Sequence, residues 1–282
     1  VLAALEPLPL DRRCLELVVS VKAAWERFAM PDVVEIAEEA RRVALLASPA
    51  LTTPYFAYTR TMVQSGFTSR ITSFLERLGP AVAGDRDWTL MVRLGLLTVN
   101  SDSSAEEFLA LVREFDPPAG EARVRCLTEA AIRSSEPGPL LDQAEEVAGD
   151  RPDHQAMVAL ARASCGQDVE ANLRRARDLE VGLHGPVHPL ALQPLVRLAR
   201  LLIDAGRSDE AAALLVAPVA ELRRLGDPCL PLTVELDLLG MELASTEEAA
   251  ALAERALLRI DPRWDGAASL VARARTGLAR GG

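Results

Sequence analysis

The chain of 282 residues holds a single lysine, Lys22, against thirty arginines. A phosphate-binding loop ending in Gly-Lys-Ser/Thr is therefore excluded, and only Lys22 could carry a Schiff base. Aromatic residues are scarce as well, eleven in all, so the core must be built mainly from Leu, Ala and Val. Leu and Ala lose little side-chain freedom in a helix, and the composition favours helices over strands. The four cysteines, Cys14, Cys126, Cys165 and Cys229, form no CxxC pair. That usage suits a reduced, cytoplasmic chain whose thiols fill small core sites. No apolar run comes near the roughly 18 residues of a membrane-spanning helix. The opening residues Val1 to Pro9 have neither the basic flank nor the apolar stretch of a signal peptide, and they lack a starting Met. The chain is expected to be a piece of a longer protein.

Acids outnumber bases 41 to 31, for a net charge of -10 and a pI near 5.0. The deficit is 8 over residues 1–150 and 2 over 151–282, so neither half offers the basic face that nucleic acid requires. An anionic membrane surface is disfavoured by the same charge.

What is abundant is helical periodicity broken by short punctuation. Arg13 to Phe28 places Leu15, Val18, Val19, Ala23 and Phe28 near one stripe, and Pro31-Asp32 opens a second helix that stops at Ser48-Pro49. Further helices are predicted at 52–65, 68–78, 87–99, 103–115, 119–134, 138–149, 152–165, 168–183, 188–205, 208–225, 229–244, 246–260 and 264–280. Ser101-Asp102-Ser103-Ser104 ahead of Glu106-Glu107 reads as a cap with acids in the first turn, and Ser208 and Ser245 precede acids in the same way. Pro218 falls inside one of these helices and should kink or split it. No segment alternates convincingly with period two, so the expected fold is all-α.

The pattern also repeats. A break followed by acids and alanine recurs at Asp168-Val169-Glu170-Ala171, Asp209-Glu210-Ala211 and Glu247-Glu248-Ala249, and the alanines are 40 and 38 residues apart. Pairing the helices gives about seven units of roughly 36 residues, a length typical of stacked helix pairs. One antiparallel pair cannot bury its apolar face alone. A small alanine at the crossing lets the second helix approach the first, and stacking completes the core. Residues 263–282, with Leu270, Val271 and Leu278 on one side and Arg273 and Arg275 elsewhere, read as a helix capping the end.

These residues resemble tetratricopeptide repeats. Gly206 and Asp209-Glu210-Ala211 match that family's loop glycine and acid-alanine step, and Leu195, Leu198, Ala199 and Leu202 fall on its first-helix core positions. Ala256 to Pro262 is similar to the closing Ala-Leu-x-x-Asp-Pro, with one residue extra. Leu183-His184-Gly185-Pro186-Val187-His188-Pro189 looks like the inter-repeat loop of the longer kinesin-light-chain variety. Leu214 to Pro218 and Arg223 to Pro228 are similar to repeats in the sensor arrays of bacterial signal-transduction NTPase regulators. The resemblance implies a right-handed α-solenoid with a C-terminal capping helix, divergent over 1–150 and clearer over 151–262. It also implies a protein- or peptide-binding function through a concave groove.

Catalytic patterns are few. His184 and His188 are four apart, but Gly185, Pro186 and Pro189 make their segment a loop, and His154 stands too far away to complete a metal site. There is no Gly-x-Ser-x-Gly elbow, and no cysteine is paired with histidine by spacing. Paired acids such as Glu38-Glu39, Glu106-Glu107 and Glu145-Glu146 read as solvated faces and helix-start charges. Isolated Trp25, Trp88 and Trp264 are expected to pack between helices, and Tyr55, Phe56 and Tyr58 under a loop.

The arginines carry the candidate site. On the first helices of successive pairs stand Arg60, Arg93, Arg125, Arg162, Arg197 and Arg200, with Gln193 beside the last two. If those helices line a groove, the series offers donors to acidic or backbone groups of a guest peptide. The competing explanation is that arginine is this chain's only common base and fills exposed positions by default. The family's dicarboxylate clamp needs inner-helix asparagine and lysine, and only Asn100 and Asn172 are present. Binding of chaperone tails is not expected. The expected function is a non-catalytic scaffold or regulatory module of a bacterial signalling or transcription-regulating protein, without cofactor or metal. A small-molecule sensor and, more remotely, a hydrolase in the first half are the alternatives. Self-association is compatible with stacked repeats.

Overall fold

The computed structural model describes residues 68–226 and 230–281. Arg60, Lys22, Trp25, the Tyr55–Tyr58 cluster, Cys14, Cys229 and the helices expected before residue 67 lie outside the described residues. Twelve helices and no strand occur among the described residues. They are α1 (Ser69–Val82), α2 (Arg86–Val99), α3 (Ala105–Phe115), α4 (Glu121–Ile132), α5 (Gly138–Ala148), α6 (Pro152–Ser164), α7 (Val169–His184), α8 (Pro189–Asp204), α9 (Ser208–Arg224), α10 (Pro231–Leu243), α11 (Thr246–Arg259) and α12 (Ala267–Gly281). Each answers a helix predicted from periodicity.

The described residues belong to two compact units: 68–99, 230–231 and 263–265 form one, and 100–226, 232–262 and 266–281 the other. In the first, α1 packs against α2. Its buried side chains include Phe74, Leu75, Leu78, Trp88 and Leu94, with Trp264 also buried, as expected for both tryptophans. Asp265 accepts from the Ser69 backbone N–H at 2.8 Å and so closes the first turn of α1 across 196 residues of sequence. α1 also runs through Pro80, two residues beyond which it ends, where a stop near residue 78 was expected.

In the second unit consecutive helices pack as antiparallel neighbours would: α3 on α4, α4 on α5, α5 on α6, α6 on α7, α7 on α8 and α8 on α9, with α11 on α12. α4 also touches α6 directly, so the first helices of adjacent pairs meet. Val124 and Leu127 of α4, Ala144 and Ala148 of α5 and Val158 of α6 form one buried cluster. Ala163, Leu173, Leu198, Leu202 and Ala211 form another across α6, α7, α8 and α9, with Leu243 of α10 against it. The core is therefore relayed from pair to pair. Ala211 sits at the crossing as expected, but Ala171 is exposed and α7 instead approaches α6 through Val169 and Leu173.

Punctuation explains the boundaries. Ser104 forms a capping box with Glu107, its hydroxyl taking the Glu107 N–H while the Glu107 carboxylate takes the Ser104 N–H at 2.7 Å. α6 and α8 open on Pro152 and Pro189, where a missing N–H costs no helical bond. After α6 and α8 the chain turns in the same way. Gly166 and Gly206 take φ of 77° and 74°, and the next N–H, of Gln167 or Arg207, returns to Arg162 O at 3.0 Å or Leu202 O at 2.8 Å. This closing turn needs a left-handed residue, and glycine supplies it without a Cβ penalty. Two expectations change. Ser208 is the first residue of α9 rather than its cap, which is Arg207. Pro218 does not divide α9: it is buried within one continuous helix, and lacking an N–H it has no donor for the Leu214 carbonyl.

Candidate functional site

The arginine series is dispersed by the structure into different environments. Arg93 is a half-buried residue of α2 in the first unit. The others described lie in the second unit. Arg125 of α4 stands 3.9 Å from Glu121, one turn earlier on the same helix.

Arg162 is a structural tie. Its guanidinium, only 18% exposed, donates to Asp142 and Glu145 of α5, each at 2.8 Å, and to Gln167 at 2.9 Å. Glu145 also accepts from Arg175 of α7 at 3.1 Å, so one carboxylate joins three helices. Burial alone would raise the Glu145 pKa, but the hydrogen bonds from Arg175 and Arg162 outweigh it and hold the carboxyl below its usual range. Glu145, expected only as a solvated acid, is thus the centre of a network.

Arg200 is also occupied. It donates to both carboxylate oxygens of Glu242 on α10, and this pairing raises its pKa. Arg273 of α12 stands 3.7 Å from Glu242 and donates to both oxygens of Glu235 at 2.7 and 2.6 Å. Arg200, Glu242, Arg273 and Glu235 alternate in charge and bind α8, α10 and α12 together. On the second helices, Glu170 and Arg174 of α7 exchange partners with Arg207 and Glu210 at the start of α9. Deeper still, Asp237 of α10, 3% exposed, accepts from Arg255 and Arg259 of α11. The Arg259 guanidinium also donates to the Thr233 hydroxyl at 2.9 Å.

Arg197 is different. It is half-buried on α8 and makes no hydrogen bond or ion pair among the described residues. Removal from water lowers its pKa, and no carboxylate offsets the effect. Gln193, one turn earlier, is exposed, and Val196 beside it is half-buried. Gln193, Arg197, Arg200 and Asp204 fall at helical spacing along one stripe of α8.

Two other groupings gather polar side chains. The loop between α7 and α8 brings the His184 and His188 rings into a stack with centroids 4.5 Å apart. His184 Nε2 lies 3.5 Å from Glu180, and His188 Nδ1 accepts from the Leu190 N–H at 3.3 Å to cap α8. The loop expected between them is present at 185–188. No group of three His, Cys, Asp or Glu that could hold a metal occurs among the described residues. A hollow of about 480 Å³ lies at the first turn of α7, lined by Asp168, Val169, Glu170, Ala171 and Arg174. Its two long charged side chains, Glu170 and Arg174, are bonded to each other. No described helix is long and apolar enough to cross a membrane.

The carboxylate partners of the arginines escaped the sequence pattern, although a signal for them exists. Arg174 and Glu210 are 36 residues apart, Arg207 and Glu170 are 37, Arg273 and Glu235 are 38, and Arg200 and Glu242 are 42. These separations equal one helix pair. No family model, characterised protein or solved structure matches this chain.

Proposed function

We propose that the chain is a right-handed α-solenoid of about seven tetratricopeptide-like helix pairs with α12 as its cap. In this reading it serves as a non-catalytic scaffold or regulatory module of a bacterial signalling or transcription-regulating protein, and its first helices line a groove that receives a protein or peptide. The observation that carries this reading is the repetition within the second unit. α6 and α8 end in the same glycine turn 40 residues apart, α4 meets α6, and ion pairs recur at one-pair separation. A chain made of successive helix pairs exposes a long face of first helices, and such faces suit extended guests.

The test is selection from a displayed library of random dodecapeptides against the chain, followed by hydrogen-exchange mapping of bound synthetic peptides. Protection along the exposed faces of α4, α6 and α8 supports the reading. Protection confined to α5, α7 and α9, or no enrichment of any peptide, overturns it. Thermal stabilisation by metabolites without any peptide binding moves the assignment to a small-molecule sensor.

A further inference from the structure

The ion pairs above already engage Arg125, Arg162 and Arg200 of the arginines expected to line the proposed groove. Arg162 and Arg200 are already bonded to carboxylates of neighbouring helices. Arg197 is half-buried, desolvated and unpaired among the described residues. A guanidinium in that state gains from a carboxylate more than a fully hydrated one does, because part of its water is already lost. Seven residues further along the same stripe, Asp204 ends α8 with an exposed side chain. Seven residues of helix rise about 10 Å. An extended peptide covers that span in about three residues at roughly 3.3 Å each.

We infer that Arg197 and Asp204 are the two poles of a recognition site for an extended segment of a protein partner. The segment carries an acidic residue at Arg197 and a basic residue three positions away at Asp204. Gln193 sits one turn beyond Arg197 and offers both an amide donor and an acceptor to the peptide backbone. Val196 supplies apolar surface beside the anchor. The Arg200–Glu242 pair between the poles is self-neutralised, so it adds no net charge to the middle of the segment. The site is a drawn-out stripe on one helix, and this length favours a peptide over a free dicarboxylate.

This inference rests on the groove reading, and its test separates the two. Dodecapeptides enriched on the chain are expected to carry Glu or Asp three positions from Arg or Lys, in either order. Replacing that acid by its amide should weaken binding about tenfold or more, as should Arg197→Met, which keeps the aliphatic stem. Asp204→Asn should reduce affinity only for peptides that retain the basic residue. Arg197→Glu should reject the acidic peptide and recover binding when the peptide acid becomes lysine, an exchange that a purely structural arginine would not produce. Peptides that protect α8 yet ignore Arg197→Met and their own acid overturn the inference and leave the groove reading standing. Glutarate alone binding as tightly as the peptide overturns the assignment to a protein segment. Failure to enrich any peptide overturns the groove reading itself, and this inference with it.

Discussion

Arg207 and Glu170 stand 37 positions apart, yet the Arg207 guanidinium donates to both oxygens of the Glu170 carboxylate, at 2.6 and 3.2 Å. The hydrogen bonds from Arg207, joined by those from Arg174, pull the Glu170 pKa from 4.5 to about 2. A carboxyl depressed in the folded state stabilises the fold above its unfolded pKa, and the contribution disappears as pH falls through the folded value. Glu170→Gln should therefore melt below the wild type at neutral pH. The gap should close between about pH 4.5 and 2. Thermal melts across that range check it, and because the pair is exposed, 1 M salt should narrow the neutral-pH gap.

Arg162 and Arg197 should part company in stability. Arg162 ties α6 to α5 through Glu145, so a double-mutant cycle of Arg162→Met and Glu145→Gln should give a coupling of about 1 kcal/mol. Arg197→Met removes no partner among the described residues and should change unfolding free energy by less than about 0.5 kcal/mol. Urea unfolding of the four variants decides both. Equal destabilisation by the two arginine substitutions would show that Arg197 is as much a structural tie as Arg162.

His154 is 1% exposed on α6, and neither ring nitrogen has a hydrogen-bond partner among the described residues. Its closest acidic atom is Asp153 Oδ2, 3.8 Å from Nε2. A buried polar group without partners costs stability that an apolar side chain of similar size recovers. His154→Leu should accordingly raise stability by about 1 kcal/mol in the same unfolding assay, and a loss of that size would show that the imidazole is contributing to the fold.

Cys126 is buried in α4, and burial pushes its thiol pKa from 9.0 up to about 11. The thiolate is the reactive form. In native protein at pH 7.5, iodoacetamide should leave Cys126 unmodified over a period that fully alkylates it in urea. Mass spectrometry of the peptide from Cys126 to Arg133 reads the difference.

The helices were legible because their ends are written in local chemistry. Pro152, Pro189, the Ser104–Glu107 box and the glycines 166 and 206 act on the residues next to them, and periodicity fills the spans between. The misreadings at Pro80 and Pro218 share an outcome but not a setting: Pro218 is itself buried in α9, whereas Pro80 is exposed and α1 is held past it by the buried side chains of Leu78 and Val82. The candidate site was legible only as a set of arginines. Whether an arginine is tied or available depends on a carboxylate one helix pair away, and Arg162, Arg197 and Arg200 look alike to any local rule. Glu145 and Glu242 decided the matter: Glu145 read as a solvated acid, and no local pattern singled out Glu242.

The grip of Arg255 and Arg259 on buried Asp237 governs how this protein can be shortened. A truncation between α10 and α11 would strand an anion in the interior, so fragments should be severed ahead of α10 or beyond α11. Homologous shuffling or circular permutation should likewise treat those two helices as one indivisible cassette.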